Sequence, residues 1–199
     1  MAQKTCEGVA LYESLKFCKG KAILPGLRSA VYYISKADIA TYPTLPDKAT
    51  SSMDELSILK GNFTLSASKK WHRIDLDTNK GQIEFETQGE VPSVTYVNKL
   101  TLTHPENDEE AAAFARQAAN DDLLFLVPQR DGKWRLVGNE DFPTVVKVKG
   151  GSGEGVTGTA GTVIEVSATD VCPAPFYQGN LDADEGMIKC GEQASPEAA

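Results

Sequence analysis

Closely spaced carboxylates are the side chains of this sequence best placed to do chemistry. They form three pairs: Asp75 with Asp77, Glu84 with Glu86, and Asp121 with Asp122. Two carboxyl groups across a cleft can hydrolyse a glycosidic bond when one has a raised pKa, and loop carboxylates can bind calcium. The first two pairs, however, alternate with apolar residues, and residues at i and i+2 share one face of a strand. The pattern therefore favours solvated strand faces over catalytic or calcium-binding carboxylates.

The remaining motifs indicate no catalytic centre. A G-x-G-x-x-G sequence occupies residues 153–158, but a dinucleotide-binding loop needs a helix directly after it, and residues 162–166 (TVIEV) have the composition of a strand. The two histidines, His72 and His104, have no serine or cysteine near them in a nucleophile setting. We therefore predict no catalytic residue, no cofactor and no metal site, and a protein that is not an enzyme.

Four cysteines lie towards the two ends of the chain: Cys6, Cys18, Cys172 and Cys190. They contain no C-x-x-C pair, and the histidines are not spaced to complete a zinc site. Thiols that pack the chain ends are the favoured interpretation. Disulfides come next, and a metal site is the least favoured of the three.

Composition limits the possible function classes. The chain has 199 residues, of which 41% are hydrophobic and 24% are charged, which is typical of one folded domain with a real core. Its formal net charge is −8 and it has no basic block, which argues against a surface that grips nucleic acid. No run is long enough to span a membrane, and residues 1–5 lack the apolar core of a signal peptide. We expect a protein that folds in a cytoplasm and has no membrane partner.

The elements that would position any site are organised around residues 105–136. Asn107 and Asp108 are capping residues, and acidic residues follow them in the first turn of a predicted helix. The helix has a narrow apolar stripe at i, i+3, i+4 and i+7, formed by Ala111, Phe114, Ala115 and Ala118. After it, residues 123–127 are a continuous apolar run typical of a buried strand, and a turn leads into a strand at 133–137. So short a helix is marginal alone and must lie on a sheet.

Period-2 alternation dominates the rest of the chain. It runs from residue 61 to residue 104 with short turns, which predicts a meander of antiparallel strands that are wet on one face. Residues 144–149 and 162–168 are predicted strands joined by a Gly-rich loop. Residues 172–177 are predicted to form an edge strand or an extended closing segment. The expected fold is mainly β (α+β): an antiparallel β-sandwich or barrel with one short packed α-helix, a long early loop and extended termini.

The expected domain organisation has three parts. Residues 1–21 form an N-terminal arm, residues 22–179 form one β-rich domain, and residues 180–199 form an acidic tail that we expect to be flexible. Within the domain, residues 37–60 form a long loop, and loops of this length are functional or disordered.

Four stretches of this sequence carry a likeness to a known class of proteins: ILPGLR at 23–28, YPTLP at 42–46, NDDL at 120–123 and TDVCPAPFY at 169–177. The amino-acid sequences of these stretches resemble those of structural proteins of phages that infect Bacteroidetes-type hosts. The order of elements, with one helix, one long early loop and an acidic balance, resembles the tube-forming proteins of bacteriophage tails and of related contractile injection systems. The likeness covers most of the chain.

The resemblance implies a virion protein, made in the bacterial host cytoplasm, that forms stacked rings, usually of six subunits, and contacts other tail proteins. Sheets would line a lumen through which DNA passes without specific binding, and helices would face outward. Four carboxylates would then supply a negative lumen wall: Asp75, Asp77, Glu84 and Glu86. The loop at 37–60 would reach an adjacent ring, with four residues as its anchors: Tyr42, Pro43, Leu45 and Pro46.

Three other interpretations remain open. The nearest alternative is a different virion component, such as a neck, ring or capsid-decorating protein. A small-molecule or glycan-binding β-barrel would instead be a stable monomer with an apolar pocket. An enzyme would need a pocket with carboxylates of perturbed pKa, for example around Asp121 or Asp141.

Overall fold

A six-stranded sheet is the middle layer of the structure, a computed structural model that describes residues 12–17, 19–20, 23–46, 52–77, 79–155, 158 and 160–191. The elements in chain order are β1 (Ala30–Ser35), β2 (Ile39–Thr41), β3 (Ile58–Leu59), β4 (Thr64–Leu65), β5 (His72–Asp75), β6 (Gln82–Gln88), β7 (Thr95–His104), α1 (Glu109–Ala118), β8 (Leu123–Pro128), β9 (Trp134–Val137), β10 (Thr144–Gly151), β11 (Gly161–Asp170), β12 (Phe176–Tyr177), β13 (Asn180–Ala183) and β14 (Gly186–Lys189). Short 3₁₀ helices lie at Lys36–Asp38 and Glu55–Ser57. The expected mainly β fold with one helix is confirmed.

The six-stranded sheet has the order β3-β12-β9-β8-β1-β5, and a four-stranded sheet has the order β10-β11-β7-β6. All neighbours are antiparallel except β12 and β3, which are parallel. β8 lies at the centre of the middle layer, and every one of its residues is buried. A continuous apolar run produces this strand because both of its faces must be covered.

One core lies between the two sheets and α1. Phe125 and Val127 of β8 meet Leu100 and Leu102 of β7 there, with Ile164 of β11 alongside. The helix begins where Asp108 caps it, since the Asp108 carboxylate accepts a hydrogen bond from the backbone N–H of Ala111 at 2.9 Å. Its apolar stripe then buries Ala111 and Ala118, and Phe114 contacts the ring of Tyr33 edge-on with centroids 5.1 Å apart.

A second core lies on the opposite face of the middle sheet. Leu124 and Leu126 point into it, and it is rich in aromatic rings, with Phe63 at 5.3 Å from Trp71 and 5.2 Å from Tyr177 between centroids. The β2–β4 pair and the β13–β14 hairpin cover this core. The alternation along β8 therefore separates two cores, one on each side of the sheet.

The meander expected between residues 61 and 104 is wrong as a set of neighbours. β4 pairs with β2, β5 pairs with β1, and only β6 and β7 form a hairpin with each other. Alternation identifies which face of a strand is buried, but it does not identify the neighbouring strand. Similarly, residues 172–177 do not end at a sheet edge, because β12 lies between β9 and β3.

The expected flexible tail is also wrong over residues 180–191. β13 and β14 form a hairpin whose Leu181 and Ala183 are fully buried in the second core, next to Cys190. Ion pairs of His72 with Asp184 and of Arg73 with Glu185 join this hairpin to β5. Alternate apolar residues inside an acidic segment produced a strand here. The end of the tail, 192–199, lies outside the described residues, as do residues 1–11 of the expected arm.

The loop expected at 37–60 has structure of its own outside residues 47–51, which are not described. It contains β2, both residues of β3, the second 3₁₀ helix and an isolated bridge between Thr44 and Lys60. Loop backbone that lies against a core must have its hydrogen bonds satisfied, and this bridge satisfies two of them.

Truncation of Leu181 tests the folded hairpin. We expect Leu181→Ala to lower the free energy of unfolding by about 2–4 kcal/mol, because it leaves a cavity in the second core. Urea denaturation measures the change. The matched control is Met187→Ala in the same hairpin, where the side chain is 64% exposed and the change should stay within about 0.5 kcal/mol. Equal, small effects of both variants would contradict the packed hairpin.

Gly138 offers a second test, at the position where the chain leaves β9. Its φ is +100°, and a Cβ there would lie 2.5 Å from Leu124 Cδ2 and 2.8 Å from Thr144 Oγ1. Gly138→Ala should therefore cost roughly 3 kcal/mol of stability, from left-handed backbone strain and overpacking together. Thermal and urea unfolding measure it. Gly151→Ala is the control, because a Cβ there meets no heavy atom within 4 Å.

Candidate functional site

The outer face of the four-stranded sheet is mostly polar. Buried residues alternate along β7 and β11, so the residues between them point away from the core. The outward positions are Gln82, Glu84, Glu86 and Gln88 on β6; Val97, Lys99, Thr101 and Thr103 on β7; Val163, Glu165, Ser167 and Thr169 on β11; and Val145, Lys147 and Lys149 on β10. This is the broadest strand surface of the described chain that no other layer covers.

Charges on this face occur in opposite pairs. Lys99 Nζ lies 2.6 Å from Glu86 Oε1, and Lys149 Nζ lies 2.6 Å from Glu165 Oε1. The register also places Glu84 directly across from Lys99. Exposed pairs of this kind contribute about 0–1 kcal/mol each to stability, so their arrangement matters more for what approaches the surface than for the fold.

The two edges of this sheet are long and open. β6 has seven residues and β10 has eight, and within the described part of the chain neither has a second strand beside it. At the start of β10 the backbone N–H of Thr144 donates a hydrogen bond to Asp122 Oδ1 at 2.8 Å. α1 packs over the inner side of β10, where Val146 and Val148 adjoin the core, and leaves the edge itself open. Rows of unpaired N–H and C=O groups are templates for another strand.

The two edges carry opposite charge on the outer face. On β6 the outward charged residues are Glu84 and Glu86, whereas on β10 they are Lys147 and Lys149. An acidic edge and a basic edge at opposite ends of one sheet are complementary to each other in a second copy of the chain. This arrangement is the candidate functional surface of the described structure.

The four carboxylates predicted for a negative surface do not come together. Glu84 and Glu86 lie on the outer face, but Asp75 is in β5 of the other sheet and Asp77 follows it. Asp75 forms an ion pair with Arg73. A hydrogen bond from Lys80, followed by one from the Asn79 backbone N–H, lowers the pKa of the Asp77 carboxyl. Cations therefore offset much of the predicted negative charge.

The four predicted anchor residues of the early loop are half-buried within their own chain. They are Tyr42, Pro43, Leu45 and Pro46. Tyr42 and Leu45 pack against the second core, the Tyr42 ring lies 6.0 Å from Phe63 in an edge-on arrangement, and burial raises the pKa of the Tyr42 hydroxyl. Only the exposed parts of these side chains could contact another subunit. Their role as contacts between rings stays a prediction.

The sequence motifs that suggested chemistry remain separate in the structure. Residues 153–158 belong to the hairpin connection between β10 and β11, and a strand follows them as predicted. His72 contacts Asp184 on the surface, and His104 Nδ1 lies 2.7 Å from the carbonyl oxygen of Asp75. Among the described residues, no group of three or more His, Cys, Asp or Glu side chains is arranged to hold a metal ion.

Of the four cysteines, Cys6 and Cys18 lie outside the described residues, and Cys172 and Cys190 are both buried. Burial raises the pKa of the Cys190 thiol to about 12.

One buried carboxyl, Asp170 at the end of β11, was not identified from the sequence. Its side chain is only 3% exposed, and its Oδ1 accepts hydrogen bonds from the backbone N–H groups of Val171 and Cys172. Its Oδ2 has no hydrogen-bond partner among the described residues. Burial raises the pKa of the Asp170 carboxyl, outweighing the opposing effects of Asn139 and the two N–H groups. Strand alternation would have found it, since 162, 164, 166, 168 and 170 share the buried face.

Comparison with protein-family models, with curated proteins and with solved structures finds no match to this chain. No helix in the described ranges is both long and apolar enough to cross a membrane.

The raised pKa of Asp170 makes stability depend on pH. A carboxyl whose pKa is higher in the folded state than in the unfolded chain contributes stability that is complete below the unfolded value, near pH 4, and is lost as pH rises through the folded value. Asp170→Asn keeps an acceptor for the two N–H groups and carries no charge. We therefore expect it to raise stability at pH 7.5 by about 1 kcal/mol and to have a smaller effect at pH 4.

Urea denaturation of both proteins between pH 4 and pH 8 measures this difference. A variant that is less stable than the parent at pH 7.5, by an amount that grows with pH, would show that the folded state needs the Asp170 carboxylate.

Proposed function

We propose that this protein is a self-assembling structural subunit whose four-stranded sheets join edge to edge into a ring. The observation that carries the proposal is the pair of long open strands, β6 and β10, with complementary charge at opposite edges of one sheet. A sheet with one acidic edge and one basic edge pairs its acidic edge with the basic edge of the next copy, and like edges repel each other. Such a head-to-tail contact generates rings or helical filaments.

Strand direction supports this contact. Neighbouring strands of the sheet are all antiparallel, so with four strands β6 runs opposite to β10. A second copy rotated about a common axis would place its β10 antiparallel to β6 of the first. The alternation of directions would thus continue from copy to copy without interruption, and each junction would form backbone hydrogen bonds of the ordinary antiparallel kind.

In such a ring the polar outer face of the sheet forms a continuous wall. Three carboxylates and three lysines lie on that face: Glu84, Glu86, Glu165, Lys99, Lys147 and Lys149. A wall of balanced charge neither attracts nor strongly repels a polyanion. We infer that the outer face lines a lumen, and that DNA passes it without specific binding because no excess of lysine or arginine is available to displace counterions.

With the sequence resemblance, these features favour a subunit of a bacteriophage tail tube, made of stacked rings, usually hexameric, in the virion. The loop at 37–60 is the candidate contact between rings, and other tail proteins would bind at the ends of the tube. A neck or other ring component of the virion would use the same edges. The height of the assembly distinguishes the two, because a tube stacks rings and a neck ring does not.

Charge reversal at the edges tests the proposal. Lys147→Glu/Lys149→Glu makes both edges acidic, and Glu84→Lys/Glu86→Lys makes both basic, so each variant should form at least tenfold fewer rings than the parent protein, because like charges then meet at every junction. The four substitutions together exchange the two signs and should restore assembly. Native mass spectrometry and negative-stain microscopy at low salt measure the ring fraction.

The matched control for the lysine variant is Lys70→Glu/Arg116→Glu, which makes the same change in net charge at two exposed positions outside the four-stranded sheet. It should assemble as the parent protein does. A parent protein that stays monomeric at every concentration would overturn the proposed function. A four-fold variant that fails to assemble, while it retains the parent's unfolding temperature, would overturn the edge contact.

A further inference from the structure

The N-terminal segment that precedes β1 exposes an unusual amount of apolar surface. Of the large hydrophobic side chains that are exposed in the described chain, five belong to residues 12–24: Tyr12, Leu15, Phe17, Ile23 and Leu24. Tyr12 and Leu15 are more than 90% exposed, and residues 12–17 join no helix or strand of their own chain. Solvated apolar residues at this density are typical of a segment that another surface covers.

The tip of the β6–β7 hairpin is a second uncovered apolar surface. Every residue from 84 to 94 is exposed, so the hairpin projects beyond the layer that would cover it. Ile83 packs against the first core, and Phe85, two residues along on the same face, is 53% exposed. Val94, also exposed, lies on this face next to the half-buried Tyr96. The inner face of the hairpin tip is therefore an apolar ledge.

The two surfaces have opposite charge. Residues 12–24 contain three lysines and one glutamate, in a chain whose net charge is −8. The turn of this hairpin, residues 89–94, contains Glu90 and no lysine or arginine, whereas Glu84 and Glu86 lie on the outer face, away from the ledge. A basic apolar segment and an apolar ledge that ends beside the Glu90 carboxylate are complementary in both respects.

We propose that residues 12–24 of one copy bind the inner face of the β6–β7 hairpin of a neighbouring copy. The proposal rests on the assembly proposed above, which brings copies side by side. The backbone edge of β6 is then paired by β10 of one neighbour, and the side chains of its inner face are covered by an N-terminal segment. Each copy gives one segment and receives one, so no segment or ledge in a closed ring remains uncovered.

The length of the segment is sufficient. Thirteen residues would span at most about 40 Å if fully extended, which is close to the width of a folded domain of this size. Within one chain the base of the segment already lies beside the start of β6, since Leu27 packs against Gly81. The segment nevertheless leaves the ledge of its own chain uncovered, with Phe85 and the five segment side chains all exposed. A second copy is the occupant that covers both.

Crosslinking with isotope labels tests this directly. The full-length protein carries the photoreactive residue p-benzoylphenylalanine in place of Phe17, and equal amounts of ¹⁴N-labelled and ¹⁵N-labelled chains are mixed as monomers and then assembled. We expect crosslinks from residue 17 to residues 83–96, half of them between a light and a heavy chain. If every crosslink joins two peptides with the same isotope label, the segment lies on its own chain and the proposal is overturned. Crosslinks from residue 17 to any other surface would overturn it equally.

A substitution pair gives an independent measurement. Leu15→Ser/Phe17→Ser should leave the unfolding temperature of the monomer unchanged, because both side chains are exposed in the single chain, and should raise the concentration needed for assembly at least tenfold. The control is Val171→Ser/Met187→Ser, which removes two exposed apolar side chains elsewhere and should assemble normally. If the Leu15 and Phe17 variant assembles as the parent does, this inference fails while the edge-to-edge ring stands. If the parent forms no assembly, both fail.

Discussion

The burial of β8 on both faces is the constraint on which the rest of this structure depends. A strand of six buried residues has no wet face, so one layer must cover Phe125 and Val127 and a different layer must cover Leu124 and Leu126. In an antiparallel sheet this is uncommon, since one face is normally solvated. The four-stranded sheet and α1 cover Phe125 and Val127. Two small elements cover Leu124 and Leu126: the β2–β4 pair from early in the chain and the C-terminal hairpin from its end.

The sequence predictions that are confirmed are those that depend on neighbouring residues and not on contacts between distant segments. The capped helix, its apolar stripe, the buried strand after it and the β10–β11 hairpin follow from local signals in contiguous residues, and all are confirmed. The meander and the flexible tail depended on which distant segments meet; the meander is wrong, and the tail is wrong over residues 180–191. Leu181 has an apolar character that the acidic residues around it obscured, and its burial depends on a second core whose aromatic members, such as Phe63 and Trp71, are more than 100 residues away in sequence.

The candidate site shows the same limit. Alternation correctly indicated that Glu84 and Glu86 point to solvent, and it also grouped Asp75 with them, although Asp75 belongs to the other sheet. The decisive feature is that β6 and β10 are the two edges of one sheet. Because β7 and β11 lie between them and the edges are some 60 residues apart in the chain, no local pattern could associate the carboxylates of one with the lysines of the other. Phe85 shares a face of β6 with Ile83, yet Phe85 is 53% exposed, because its burial depends on where the covering layer ends.

The layer order also explains why the four-stranded sheet is the one with open edges. The middle sheet uses both faces for cores, and a short strand stands at each of its edges, with two residues in β3 and four in β5. Short strands are a common protection against unwanted pairing, and β5 is further occupied by contacts with the C-terminal hairpin. The four-stranded sheet has the opposite design, with long regular edge strands and neither a proline nor a bulge in them. A chain that protects one pair of edges and leaves the other pair open, with matched charges, has edges suited to pairing with each other in successive copies.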